Sequence, residues 1–133
     1  MRDILFRGKR EDNGAWETGS LIIKRMYTRE NIVQIGDKMT AYPTPVIPET
    51  VGEYTGLADK NGRKIFEGDI IKHFYNPSGD EYDIGIVKWD SEYCMFFRTS
   101  KEFDDDKILG NYCEYEIIGN IHDNPELMQE VEE

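Results

Sequence analysis

Turn-forming residues recur along this sequence at short intervals, and the stretches between them are short and β-like. Asn13-Gly14 suits a type I′ hairpin turn, because both residues accept positive φ. Asn61-Gly62 signals a second hairpin, Glu67-Gly68 marks a further turn, and Asn76-Pro77-Ser78-Gly79-Asp80 is a dense turn cluster. Between these markers, strands are expected over 4–7, 16–23 (interrupted by Gly19), 32–35, 51–57, 63–66, 69–75, 82–89, 93–98 and 112–118. Tyr82, Ile84 and Ile86 alternate as one face of a strand does.

Two segments break the pattern. Prolines at 43, 45 and 48 cannot donate to a sheet ladder, so 43–48 reads as an extended connection between two parts of one domain. At the other end, a short helix is expected over 124–132. Asn124 caps it, Pro125 suits its first position, Glu126 opposes the positive end of the dipole, and Leu127 and Val131 lie one turn apart to dock it. The polar stretch 99–110, centred on Asp104, Asp105 and Asp106, reads as a loop or helix start. The expected fold is mostly β: a compact barrel or sandwich of short antiparallel strands with a short C-terminal helix. It is one domain over 1–133, with N-terminal strands in 1–42, the proline connection, a β region over 49–121 and the helix.

Composition narrows the function. The chain has 133 residues, eight Tyr, six Phe and two Trp, enough for a core. Its 27 acids against 16 bases give a net charge of −11, which repels phosphates and argues against direct nucleic-acid binding, whatever local basic patch Arg7, Lys9 and Arg10 form. Charge follows the start too soon for a signal peptide. No run approaches the roughly 18 apolar residues that span a membrane. Two cysteines, Cys94 and Cys113, make no disulfide framework. These features favour a cytoplasmic setting with reduced thiols.

The chemical motifs fail on spacing. Gly56 and Gly62 are separated by five residues rather than the four of a phosphate loop, and the hydroxyl after Lys64 is missing. A calcium loop starting at Asp59 would place Lys64 sixth and Ile70 twelfth, where glycine and glutamate are required; Asp59 reads instead as a turn cap. Zinc would have to gather the scattered Cys94, Cys113, His73 and His122. His122-Asp123 reads as turn and cap chemistry rather than a dyad, and Glu67 and Asp69 as flanks of a glycine turn. Ser20, Ser78, Ser91 and Ser100 lack a nucleophile elbow. Trp16, Tyr54, Trp89 and Phe96 suit core packing better than base stacking. No catalytic, metal-binding or cofactor-binding residues are assigned, no cofactor is expected, and the chain is not read as an enzyme.

The segment PETVGEYTGLADKNGRKIFEGDII, from Pro48 to Ile71, resembles the signature of the YopX family of phage and prophage proteins. FRGKREDNGAWETGSLI near the start and YEIIGNIHDNPELM near the end agree with it, so the resemblance brackets nearly the whole chain. Matching positions include Tyr54, Thr55, Gly56, Leu57, Asp59, Asn61, Gly62, Glu67, Gly68 and Asp69, and later Ile118, Gly119, Asn120, Asn124, Pro125 and Leu127. Glu53 stands where the family more often has Gln, and His122 where an aromatic is common; 24–42 and the acidic run at Asp104 fall outside the pattern. The resemblance implies a phage or prophage origin, a mostly-β fold and assembly into homo-oligomers. It carries over no catalytic residue. The resulting expectation is an accessory protein acting through protein contacts, with a basic host or phage partner and no membrane or nucleic-acid ligand. The alternatives are an acidic nucleic-acid mimic and an enzyme built from carboxylates and His122.

Overall fold

The computed structural model describes residues 3–25, 31–36, 42–100, 107–110 and 114–127. The chain divides into two units, Met1–Tyr54 and Thr55–Glu133.

In the first unit, β1 (Phe6–Lys9), β2 (Trp16–Arg25), β3 (Asn31–Gly36) and β4 (Thr44–Pro45) form an antiparallel sheet in the order β4-β3-β2-β1. The start of β5 (Gly52–Ala58) lies beside β1, with Phe6 opposite Glu53 and Arg7 opposite Gly52. β2 runs unbroken through Gly19, which pairs with Phe6. The β1–β2 turn departs from the expected type I′. Gly14 has φ +73°, but Asn13 keeps negative φ and accepts the Ala15 amide through Oδ1 at 2.9 Å. The loop is longer than two residues, closed by Arg10 and Ala15 across its base. The proline segment does more than connect. Thr44 and Pro45 pair with β3, Val46 bridges to Arg10, and Val46 is fully buried with Ile35 in this unit. A 3-10 turn, Pro48–Thr50, follows, and Thr50 Oγ1 accepts the Lys9 amide.

In the second unit the remainder of β5 lies beside β6 (Lys64–Phe66). The Asn61-Gly62 hairpin is as expected, with Gly62 at φ +81° donating to the Asp59 carbonyl at 3.0 Å. That is a type I turn closed by a left-handed glycine. β7 (Asp69–Phe74), β8 (Tyr82–Asp90), β9 (Met95–Arg98), β10 (Lys107–Ile108) and β11 (Glu114–Asn120) form an antiparallel sheet in the order β10-β9-β8-β7-β11. Both faces are apolar at its centre. Ile71, Val87, Tyr115 and Ile117 pack with Ile65 on one side; Ile70 and Ile86 pack with Ile84, Ile118, Ile121 and Leu127 on the other.

The fold is therefore mostly β, in two antiparallel sheets, but the described residues make no closed barrel. The expected C-terminal helix is also corrected: over 124–127 the chain forms a single 3-10 turn, Pro125–Leu127, and 128–132 lie outside the described residues. The Asn124 side chain does not start an α-helix. Its Oδ1 turns back to accept the Asn120 amide at 3.2 Å, which ties the turn to the end of β11. No helix among the described residues is long and apolar enough to cross a membrane.

Candidate functional site

The densest polar chemistry lies in the second unit, on the face of its sheet that carries Ile71 and Val87. Strand register puts it there. Tyr115 pairs with His73 across β11 and β7, and His73 with Asp83 across β7 and β8, so the three side chains form one row. Tyr75 follows two residues after His73, where the period of a strand returns to the same face. Arg98 enters from β9, opposite Val87, and reaches back along β8 to the row.

Gly85 opens that path. A Cβ there would stand 3.4 Å from Arg98 Cβ and 1.9 Å from the Thr99 carbonyl, so no side chain fits. The Thr99 hydroxyl accepts the Ile86 amide at 2.9 Å, holding the chain close to β8 at this point.

Arg98 and Asp83 are each 1% exposed and meet at 2.9 Å through Nη1 and Oδ2. The same Asp83 oxygen accepts from Tyr75 Oη at 3.3 Å and from Ser100 Oγ, while Oδ1 accepts the Ile84 amide. Arg98 Nη2 lies 2.6 Å from His73 Nδ1 and donates to Tyr75 Oη at 3.3 Å. Nη1 also reaches the Thr99 carbonyl. A guanidinium has no acceptor, so His73 Nδ1 must accept and the ring proton sits on Nε2. Burial first, and the Arg98 cation second, push the His73 pKa below its ordinary value, with Asp83 opposing them. The imidazole is therefore neutral at pH 7, a donor at Nε2 rather than a base. The buried charges meet the two conditions that make such a pair tolerable, pairing and saturation with hydrogen bonds.

The other residues singled out in the sequence are placed as follows. Asp59 does more than cap its own turn. Oδ1 accepts the Asn61 and Arg63 amides, while Oδ2 accepts the Ile117 amide at 3.1 Å, tying the hairpin to β11. Burial pushes its carboxyl up, but these amides outweigh that and hold it below the usual range. Asp69 is buried and accepts the Phe66 amide, finishing the Glu67-Gly68 turn. His122 and Asp123 donate their amides to Asn120 Oδ1, which is turn chemistry. Trp16 and Tyr54 fall in the first unit, Trp89 and Phe96 in the second, where they pack edge to face. Phe96 is core, but Trp89 is 38% exposed. Trp16 lies under Arg7 and Lys9, and Arg10 pairs with Asp12 and Glu17, so the basic residues are engaged locally. Cys94 is a free, exposed thiol. Cys113 and Asp104 to Asp106 lie outside the described residues, among which no three His, Cys, Asp or Glu gather as a metal site.

Sequence reasoning weighed His73 as a scattered metal ligand and passed over Asp83 and Arg98. The available signal was Asp83 and Gly85 on the second face of a strand whose first face alternates Tyr82, Ile84 and Ile86. A charge and a glycine there indicate something large and polar packed across them.

The family described as YopX protein matches residues 5–129. No functionally curated protein matches. A solved structure, described as the crystal structure of protein EF1440 from Enterococcus faecalis, is similar at 22% identity and a TM-score of 0.53, covering 96% of this chain and 99% of that one. That likeness speaks to the fold.

Proposed function

Because the chain belongs to the YopX family, we propose that it is a phage- or prophage-encoded accessory protein that works through protein contacts in the bacterial cytoplasm, not through catalysis. The observation that carries this reading is the state of the His73–Asp83–Arg98 cluster. Its one carboxylate accepts four hydrogen bonds and its guanidinium grips three side chains. Chemistry on a substrate needs groups held ready but not consumed; here they hold strands together. The protein is also read as a homo-oligomer, to be checked by light scattering across a concentration series against the monomer mass of 15.5 kDa.

A second reading, an enzyme, rests on the perturbed histidine, since shifted pKa values gather at functional sites. Its base would have to be His73 after a tautomer change that breaks the Arg98 contact. Nucleic-acid mimicry rests on net charge alone and would require competition with DNA for the partner. Affinity capture from bacterial lysate followed by mass spectrometry, run beside a substrate screen of the parent and His73→Ala, separates the readings. A captured partner retained by His73→Ala supports contact function. Turnover lost in His73→Ala would replace it with the enzyme.

A further inference from the structure

On the opposite face of the second unit's sheet, the outer strands leave an apolar groove of about 300 Å³ lined by Asp90, Tyr93, Met95, Phe97 and Ile108. Register explains it. Asp90 pairs with Met95, and Phe97 with both Lys88 and Ile108, so Lys88 and Asp90 from β8, two side chains from β9 and one from β10 share a face, with Lys88 outside the groove lining. The same face farther in is closed by Ile118, Ile121 and Leu127 over Ile84 and Ile86. At the rim Tyr93 and Ile108 are each 67% exposed.

The groove has one charged wall. Asp90 Oδ1 accepts the amides of Glu92 and Tyr93, which fixes the carboxylate at the start of the β8–β9 turn. Its Oδ2 has no hydrogen-bond partner among the described residues. An apolar trough that ends on an open carboxylate oxygen complements an aliphatic stem tipped with a cation. The aromatic rings of Tyr93 and Phe97 suit a planar guanidinium over an ammonium, because the former stacks and is less strongly hydrated. We propose that this groove binds an arginine-bearing apolar segment of a basic protein partner, the stem lying on Met95, Phe97 and Ile108 and the guanidinium meeting Asp90. A net charge of −11 draws such a segment in and opposes a second copy of the same chain at this position. Any homo-oligomer would then use another surface.

This rests on the contact reading above and names the chemistry of the contact. The test is a nitrogen-edited NMR titration of the full chain with the peptide acetyl-Ile-Arg-Leu-Arg-amide. Acetyl-Ile-Glu-Leu-Glu-amide and acetyl-Gly-Arg-Gly-Arg-amide serve as controls for charge and for apolar character. Shifts should concentrate at 90–97 and 107–109 with the first peptide. Affinity should drop about tenfold in Asp90→Asn, which keeps an oxygen for the two amides, and in Ile108→Ser at the rim. Shifts spread over the acidic surface, equal binding of the glycine peptide, or indifference to both variants would overturn the groove. So would an oligomer that Ile108→Ser turns into a monomer, which would assign the groove to a second copy. A protein partner captured equally by parent and Ile108→Ser sinks the groove and leaves the contact reading standing; turnover lost in His73→Ala sinks the reading itself.

Discussion

Gly62 and Gly85 are both glycines for cause, and the causes differ. Gly62 sits at φ +81° with nothing within 4 Å of where a Cβ would be, so its requirement is backbone conformation. Gly62→Val should destabilise the protein by about 1–3 kcal/mol in chemical denaturation, because a β-branched residue resists positive φ. A variant that unfolds like the parent would remove the left-handed turn. Gly85 has no such φ but faces the Thr99 carbonyl, so its requirement is space. Gly85→Ala should cost more than Gly62→Ala, which is expected near 1–2 kcal/mol, since β8 and β9 must separate to admit the methyl group. The reverse order would mean that β9 yields easily. The first glycine was legible in the sequence as half of an Asn-Gly dipeptide. The second was legible only as a glycine inside a strand, which marks a close approach without showing that the Thr99 carbonyl makes it.

His73, Asp83 and Arg98 act on β7, β8 and β9 as a set. The folded state holds His73 neutral and below its ordinary pKa, whereas the unfolded chain takes up a proton near pH 6.5. Stability attached to His73 is thus complete above that pH and is lost as pH falls through the window below it, where protons favour the unfolded chain. Protonation would also set an imidazolium against the Arg98 guanidinium. Melting temperatures of the parent and His73→Gln, compared between about pH 7.5 and about pH 5.5, should diverge, the parent losing more on acidification. Parallel curves would show that His73 is not coupled to folding.

At this scale most strands were readable from apolar and turn residues, with boundaries moved by a few residues, but Lys107–Ile108 forms β10 within the stretch expected as a loop or helix start. The terminal helix was misread because a local side-chain bond decided it, and the proline segment does more than connect because a tertiary contact holds it. Val46 is drawn into the first unit's core beside Arg10, and Asn124 Oδ1 accepts the Asn120 amide behind it while Nδ2 donates to Glu126 Oε1. The polar cluster escaped notice because the sheet brings together residues far apart in sequence, His73 with Arg98 and with Tyr115.

For the molecule as a whole, acidity and an apolar rim suit a protein that meets others. Composition gave the charge, and the Pro48–Ile71 segment gave the family, matched over 5–129. Neither located the groove, since its lining depends on which faces of β8, β9 and β10 coincide. Surface charges are screened beyond about 10 Å at 0.1 M salt, so contact with a basic partner should be salt-sensitive. The direct measurement is the dissociation constant of the complex with a partner captured from bacterial lysate, followed across a salt series. The account predicts a specific complex that weakens steadily as salt rises and that His73→Gln leaves intact. Binding that is flat in salt, or lost with His73→Gln in a protein that remains folded, would contradict it.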